Sequence, residues 1–178
     1  MSRFLFEQYR SLNAYTPGEQ PRDLPYIKLN TNESPYPPAP SVVAAMTGEQ
    51  VALLRLYSDP TGLSLKQKLA GLYDLQPENI FISNGSDDIL NFAFMAFCDS
   101  ERGAAYPEIS YGFYPVYADL YHVDSKVIPL KADFGVDYKD YCGIGRMTVI
   151  ANPNAPTGME ISLVEIEEIL KSNPDNIV

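Results

Sequence analysis

From Ser41 onward the chain alternates short apolar runs with longer stretches in which apolar residues return every three or four positions. Short apolar runs fit buried strands, and returns at i, i+3 and i+4 fit helices with one buried face. Strands are therefore expected over 80–83, 103–106, 125–130 and 147–151, with one more opening at Ile177. Helices are expected from Ser41, as N-cap, to about Leu54, and over 63–73, 86–97, 113–121 and 162–171. Leu65, Leu69 and Leu72 mark one face of the second helix. The third is apolar nearly all round, which predicts that it is buried. Ser162 and Glu165 have the spacing of a capping box. Asp59-Pro60-Thr61-Gly62 is a turn. Strands alternating with helices predict an α/β fold on a largely parallel sheet.

Ahead of Ser41 the pattern disappears. Pro17, Pro21, Pro25, Pro35, Pro37, Pro38 and Pro40 exclude a long helix across most of 1–40. A short helix at 4–12 and a short strand at 26–30 fit between them. Residues 1–40 are expected as an extended arm and 41–178 as the first part of a domain. Because Asn176-Ile177-Val178 opens a strand, a longer protein is expected, with the rest of that domain still to come.

Composition narrows the function classes. With 178 residues and 46% hydrophobic content, the chain can build a core of its own. A formal net charge of −10, with 13 scattered Lys and Arg, disfavours nucleic acid and anionic membranes as partners. No stretch is long enough to span a bilayer, and the first residues lack the apolar core of a secretion signal, so a cytoplasmic protein is expected. Cys98 and Cys142 are far apart and have no neighbouring ligands, so neither a disulfide nor a metal site is expected. Cys98, inside an apolar run, is expected to be a buried hydrophobe.

Four segments carry candidate chemistry. Ser83-Asn84-Gly85-Ser86-Asp87-Asp88 joins a strand to the apolar helix. Gly85 allows a tight turn, and the N–H groups at a helix start attract an anion such as a phosphate monoester. Taken alone, caps by Ser86 and Asp87 are the commoner explanation of the same residues. Asn152-Pro153-Asn154-Ala155-Pro156-Thr157-Gly158 follows a strand, where ligands sit in open α/β sheets, but it also fits an ordinary turn. Tyr111-Gly112-Phe113-Tyr114 offers a ring to stack on a flat heterocycle, or a Tyr packed at a helix start. Leu56-Tyr57-Ser58-Asp59-Pro60-Thr61-Gly62 is, by itself, a turn.

In order and approximate spacing these segments resemble the motifs of the fold-type-I pyridoxal-phosphate aminotransferases. Tyr15-Thr16-Pro17-Gly18-Glu19-Gln20-Pro21 and Lys28-Leu29-Asn30-Thr31-Asn32-Glu33-Ser34-Pro35-Tyr36 narrow the resemblance to the histidinol-phosphate aminotransferases. The resemblance implies the three-layer, mostly parallel large domain of that fold type, incomplete here and preceded by the arm. It implies pyridoxal 5′-phosphate as cofactor and a homodimer. Gly85, Ser86 and Asp87 would then form the phosphate cup, and Tyr111 would stack on the pyridine ring. Asn154 would contact the cofactor's 3′-oxygen and the substrate. Tyr57 would reach the phosphate of the neighbouring subunit's cofactor, and Asn32 and Glu33 would help close the substrate pocket. The implied reaction moves an amino group from histidinol phosphate to 2-oxoglutarate, giving imidazole acetol phosphate and glutamate in histidine biosynthesis. Alternatives are threonine-phosphate decarboxylase, an aromatic aminotransferase on the same template, and a non-catalytic α/β binding module.

The chain departs from the family pattern in three places. Ala155 stands where Asn usually precedes Pro-Thr-Gly, so contact with the 3′-oxygen passes to Asn154 or a water, or is weakened. Asp88 replaces the more usual Glu, and the Tyr-x-x-Tyr unit lies further than usual from Pro107. The Schiff-base lysine is expected downstream of Val178, so these residues alone contain no catalytic residue and are expected to be inactive.

Overall fold

A computed structural model of the chain describes residues 6, 9, 27, 29–46 and 48–178. They fall into two compact units, one built on 84–178 and the other lying within 16–83. The expected helix at 4–12 and strand at 26–30 lie largely outside the described residues.

In the unit within 16–83 the helix expected from Ser41 is two helices, α1 (Pro40–Ala45) and α2 (Glu49–Leu53). Pro40 starts α1 because its fixed φ suits the first turn, which makes Ala39 the N-cap instead of Ser41. Gly48, at φ +66°, separates the two. Helix α3 (Leu63–Tyr73) forms where expected and ends at Asp74 in the left-handed conformation. Leu65 and Leu72 of its apolar face are exposed, while Ala70 is buried. A 3-10 turn at Pro77–Asn79 packs against α3. Residues 80–83, expected as a strand, join no ladder among the described residues. An apolar run supplies side chains for a strand but not the neighbour whose backbone must pair with it.

The unit on 84–178 holds helices α4 (Ser86–Phe97), α5 (Tyr114–Tyr121) and α6 (Leu163–Ser172) and a sheet of β1 (Ala104–Pro107), β2 (Ser125–Ile128) and β3 (Met147–Thr148). Its order is β2-β1-β3 and both pairings are parallel: Ala104 sits opposite Ser125 on one side and Met147 on the other. The fold is therefore α/β on a parallel sheet, as the alternation predicts. The central strand β1 is buried at all four positions, as a strand covered on both faces must be. Strands β2 and β3 are shorter than their apolar runs. Thr148 N–H donates to the Ile177 carbonyl at 2.9 Å, so the strand expected at Ile177 touches β3 through a single ladder-like bond.

Two cores result. Ala104 and Tyr106, two residues apart and hence on one face of β1, pack with Phe94, Cys98, Tyr114, Tyr117, Ala118, Val123 and Met147. Ile128 joins Val136, Tyr141, Ile161 and Ile169 in the second, beneath α6. Burying Phe94 completely contributes about 1.5–3 kcal/mol. Ile89, Phe92, Met95 and Phe97 are nevertheless exposed, so α4 is buried along one side only, contrary to expectation. Its sequence records apolar faces, not which of them this sheet covers.

Helix α6 is set by its cap. The Glu165 N–H donates to Ser162 Oγ at 3.3 Å, and Glu165 Oε2 accepts from the Ser162 N–H at 2.7 Å and from Ser162 Oγ at 2.8 Å. These bonds hold the Glu165 carboxyl below its ordinary range, chiefly through the Ser162 backbone N–H.

Candidate functional site

The loops after β1 and β3, together with the start of α4, bring three of the four candidate segments into one unit. Gly85, at φ +89°, is the N-cap of α4, and among the described residues no side chain caps that helix. Helix α4 begins at Ser86, so Ser86 and Asp87 belong to the first turn instead of standing ahead of it as caps. Its first-turn N–H groups have no partner within the helix, and they carry the positive end of its dipole. Gly85, Ser86 and Asp87 are all exposed.

The Asp87 carboxylate would oppose an anion at that point, but it is engaged elsewhere. Tyr111 donates its hydroxyl to Asp87 Oδ1 at 2.6 Å. Tyr117 donates to the Asp87 carbonyl at 3.0 Å, and Tyr121 to Asn91 Oδ1 at 2.7 Å. The Tyr111 ring is itself fixed. It stacks on Phe113 with centroids 5.7 Å apart and planes 25° apart, and meets Tyr114 edge-on at 5.7 Å. Burial raises the Tyr114 phenol above its ordinary range, with a hydrogen bond to Ser110 opposing the rise.

Asn154 is 1% exposed, and its amide is occupied on both sides. Nδ2 donates to the Ile109 carbonyl at 2.8 Å and to Thr157 Oγ1 at 3.1 Å, while Oδ1 accepts from Ser110 Oγ at 2.7 Å. Its backbone closes a turn: the Asn154 N–H donates to the Met159 carbonyl and its carbonyl accepts from the Gly158 N–H, each at 2.7 Å. Gly158 takes φ +71° there, a conformation that suits glycine. Asn152 braces the same loop, donating Nδ2 to the Ile161 carbonyl at 3.1 Å and accepting the Ile161 N–H at 3.0 Å. The three segments are thus linked in series: α4 start to Tyr111 through Asp87, and Ser110 to Asn154.

Tyr57, Asn32 and Glu33 belong to the other unit. Tyr57 is fully exposed. The turn after it is built by Asp59, whose Oδ1 accepts from Thr61 N at 2.9 Å and Thr61 Oγ1 at 2.7 Å, while Oδ2 accepts from Leu63 N at 2.9 Å. The Thr61 hydroxyl bond, foremost, lowers the Asp59 carboxyl. Asn32 sits at φ +52°, and both it and Glu33 are exposed. Among the described residues no group of three or more His, Cys, Asp or Glu side chains could hold a metal. No helix among the described residues is long and apolar enough to cross a membrane.

Sequence reading missed Ser110, Thr157, Tyr117 and Tyr121 as parts of this network. A signal for two of them was present: Tyr114, Tyr117 and Tyr121 repeat at three and four residues, the spacing of one helix face.

The chain is 51% identical over 178 residues to histidinol-phosphate aminotransferase of Brachyspira hyodysenteriae, covering all of this chain and 50% of that protein. It is 49% identical over 179 residues to the protein of the same name from Marinomonas sp., with 100% and 51% covered. The chain spans about half the length of these curated relatives. The crystal structure of histidinol-phosphate aminotransferase from Sinorhizobium meliloti in complex with pyridoxal-5′-phosphate superposes with a TM-score of 0.71 at 24% identity, over 81% of this chain and 40% of that one, which establishes the shared fold. The sequence pattern of the aminotransferases of class I and II matches residues 25–178, and the chain belongs to that family.

Proposed function

We propose that the protein to which these residues belong is a pyridoxal-phosphate-dependent aminotransferase acting on histidinol phosphate and 2-oxoglutarate, yielding imidazole acetol phosphate and glutamate. The observation that carries this reading is the exposed start of α4, where among the described residues no side chain caps the helix, joined through Asp87 to the Tyr111 ring.

The residues present fit the cofactor. A phosphate monoester needs N–H donors and a positive field, which the first turn of α4 supplies, and Gly85 adds no side chain to obstruct it. A flat pyridine needs an aromatic face, and Tyr111 is held in place by Asp87 and Phe113. When bound, pyridoxal phosphate supplies an electron sink for the bond broken at the substrate's α-carbon. The residues of this chain hold and orient. Gly85, Ser86 and Asp87 hold the phosphate through the backbone. Tyr111 packs against the ring. Asn154 keeps the loops after β1 and β3 in register; to donate to the 3′-oxygen, its Nδ2 would have to release the Ile109 carbonyl or Thr157 Oγ1.

Tyr57 reaches a neighbouring subunit's cofactor phosphate, and its full exposure leaves it available for that. Asn32 and Glu33 help close the substrate pocket. The exposed apolar side of α4 suits cover by the rest of the large domain or by a second subunit of a homodimer. Residues 1–40 form the arm and 41–178 the first part of the large domain, in a cytoplasmic enzyme. The choice of histidinol phosphate rests on the 51% and 49% identities to proteins of that name.

The test is turnover by the purified full-length protein. Histidinol phosphate with 2-oxoglutarate should give glutamate, faster than tyrosine as donor and without release of carbon dioxide from threonine phosphate. Preferred turnover of either rival substrate overturns the assignment. No turnover of any, with no aldimine absorption on adding pyridoxal phosphate, supports the binding-module alternative.

A further inference from the structure

We propose that Tyr117 is a positioning residue for the phosphate cup: its hydroxyl, on the Asp87 carbonyl, fixes the first turn of α4 in the orientation that receives the phosphate. The inference rests on the reading of α4's start as that cup. Tyr117 would act on the phosphate only through Asp87.

Asp87 is held at two points from the segment that follows β1. Tyr111 takes its carboxylate at 2.6 Å and Tyr117 takes its carbonyl at 3.0 Å. Tyr117 is 6% exposed, and its ring lies against Phe94 and Phe113 with centroids 5.6 Å away in each case. The ring is therefore locked by packing, and the hydroxyl can only point where the packing aims it. Burial, joined by the charges of Asp87 and Asp88, raises the phenol above its ordinary range, so it remains a donor at working pH. The first turn of a helix is its least restrained part, since its N–H groups lack helical partners. A bond from another helix to a carbonyl in that turn removes freedom that phosphate binding would otherwise have to remove. The grip on Asp87 also frees the cup from its own carboxylate, because Tyr111 can reach Oδ1 only while Asp87 stays in this orientation.

Tyr121 provides an internal comparison. It donates an equivalent hydroxyl from α5 to α4, at 2.7 Å, but to Asn91, a full turn further along. It ties the helices together without touching the first turn.

The experiment uses the full-length apoprotein and measures the equilibrium affinity of pyridoxal phosphate and of pyridoxal, which lacks the phosphate. The ratio of the two isolates the contribution of the cup. Tyr117→Phe keeps the packed ring and removes only the hydroxyl. It should weaken pyridoxal phosphate about three- to tenfold and leave pyridoxal unchanged, as loss of one hydrogen bond implies. Tyr121→Phe should leave the ratio unchanged. The inference fails if Tyr117→Phe retains the wild-type ratio, if it weakens both ligands equally, or if Tyr121→Phe lowers the ratio as much. If wild-type protein itself does not prefer pyridoxal phosphate to pyridoxal, the cup reading fails and this inference with it.

Discussion

Replacing Asn154 by Ala removes the side chain that joins the loops after β1 and β3. Three bonds disappear at once, to the Ile109 carbonyl, Thr157 Oγ1 and Ser110 Oγ, at 2.8, 3.1 and 2.7 Å. Each is worth about 0.5–1.5 kcal/mol net, and the groups left behind are only partly within reach of water. The summed loss is about 2–4 kcal/mol, a large fraction of the stability of an ordinary domain. Urea unfolding of the full-length apoprotein measures it, and amide hydrogen exchange at 108–113 and 154–159 localises it. Asn154→Asp sharpens the test. It keeps the size but points carboxylate oxygen at the Ile109 carbonyl, where a donor is needed. The penalty should be at least as large near neutral pH and should shrink on acidification, as protonation restores a donor. Stability within about 0.5 kcal/mol of wild type for Asn154→Ala, the range of an ordinary surface change, refutes the view that this residue holds the loops.

Three further outcomes are expected. A Cβ at Gly103 would collide with the Arg146 guanidinium and the Asp124 carbonyl, so Gly103→Ala should displace Arg146 from Asp124 and cost about 1–3 kcal/mol in urea unfolding. The Glu165 carboxyl lies below its ordinary value of 4.5, so its contribution to the α6 cap is complete above that pH and is lost as pH falls through the lowered value; amide exchange at the start of α6 should accelerate on acidification in wild type and be fast and far less pH-dependent, after correction for intrinsic rates, in Glu165→Ala. Burial, with Asp99 beside it, pushes the Cys98 thiol up to about 11; iodoacetamide at pH 7.5 should therefore label Cys98 only after unfolding, and rapid labelling in the native protein would contradict its placement in the core.

Local signals were the legible part of this chain. Ser162 and Glu165 mark α6, and an apolar run followed by Gly85 and a second apolar stretch marks α4, because caps and turns depend on residues a few positions apart. The apolar runs at 125–130 and 147–151 are longer than the strands they contain, since an apolar run marks burial while a ladder needs a partner. Ser41 lost the cap to Ala39 because Pro40 already favours the first helical turn. The start of α4, Tyr111 and Asn154 stand in the sequence as separate motifs. What links them was not legible: Tyr111 and Asp87 are 24 residues apart, Tyr117 and Asp87 are 30, and Ser110 and Asn154 are 44. Such pairs exist only once the sheet has formed. Nor does the sequence say which side of α4 stays uncovered, because that depends on what else packs there.

The most direct measurement is a crystal structure of the full-length protein with pyridoxal phosphate. The phosphate is expected within hydrogen-bonding distance of the backbone N–H groups of Ser86 and Asp87, the ring against Tyr111, and the Tyr111 and Tyr117 hydroxyls still on Asp87. A phosphate bound away from the start of α4, or a ring that does not meet Tyr111, would contradict it.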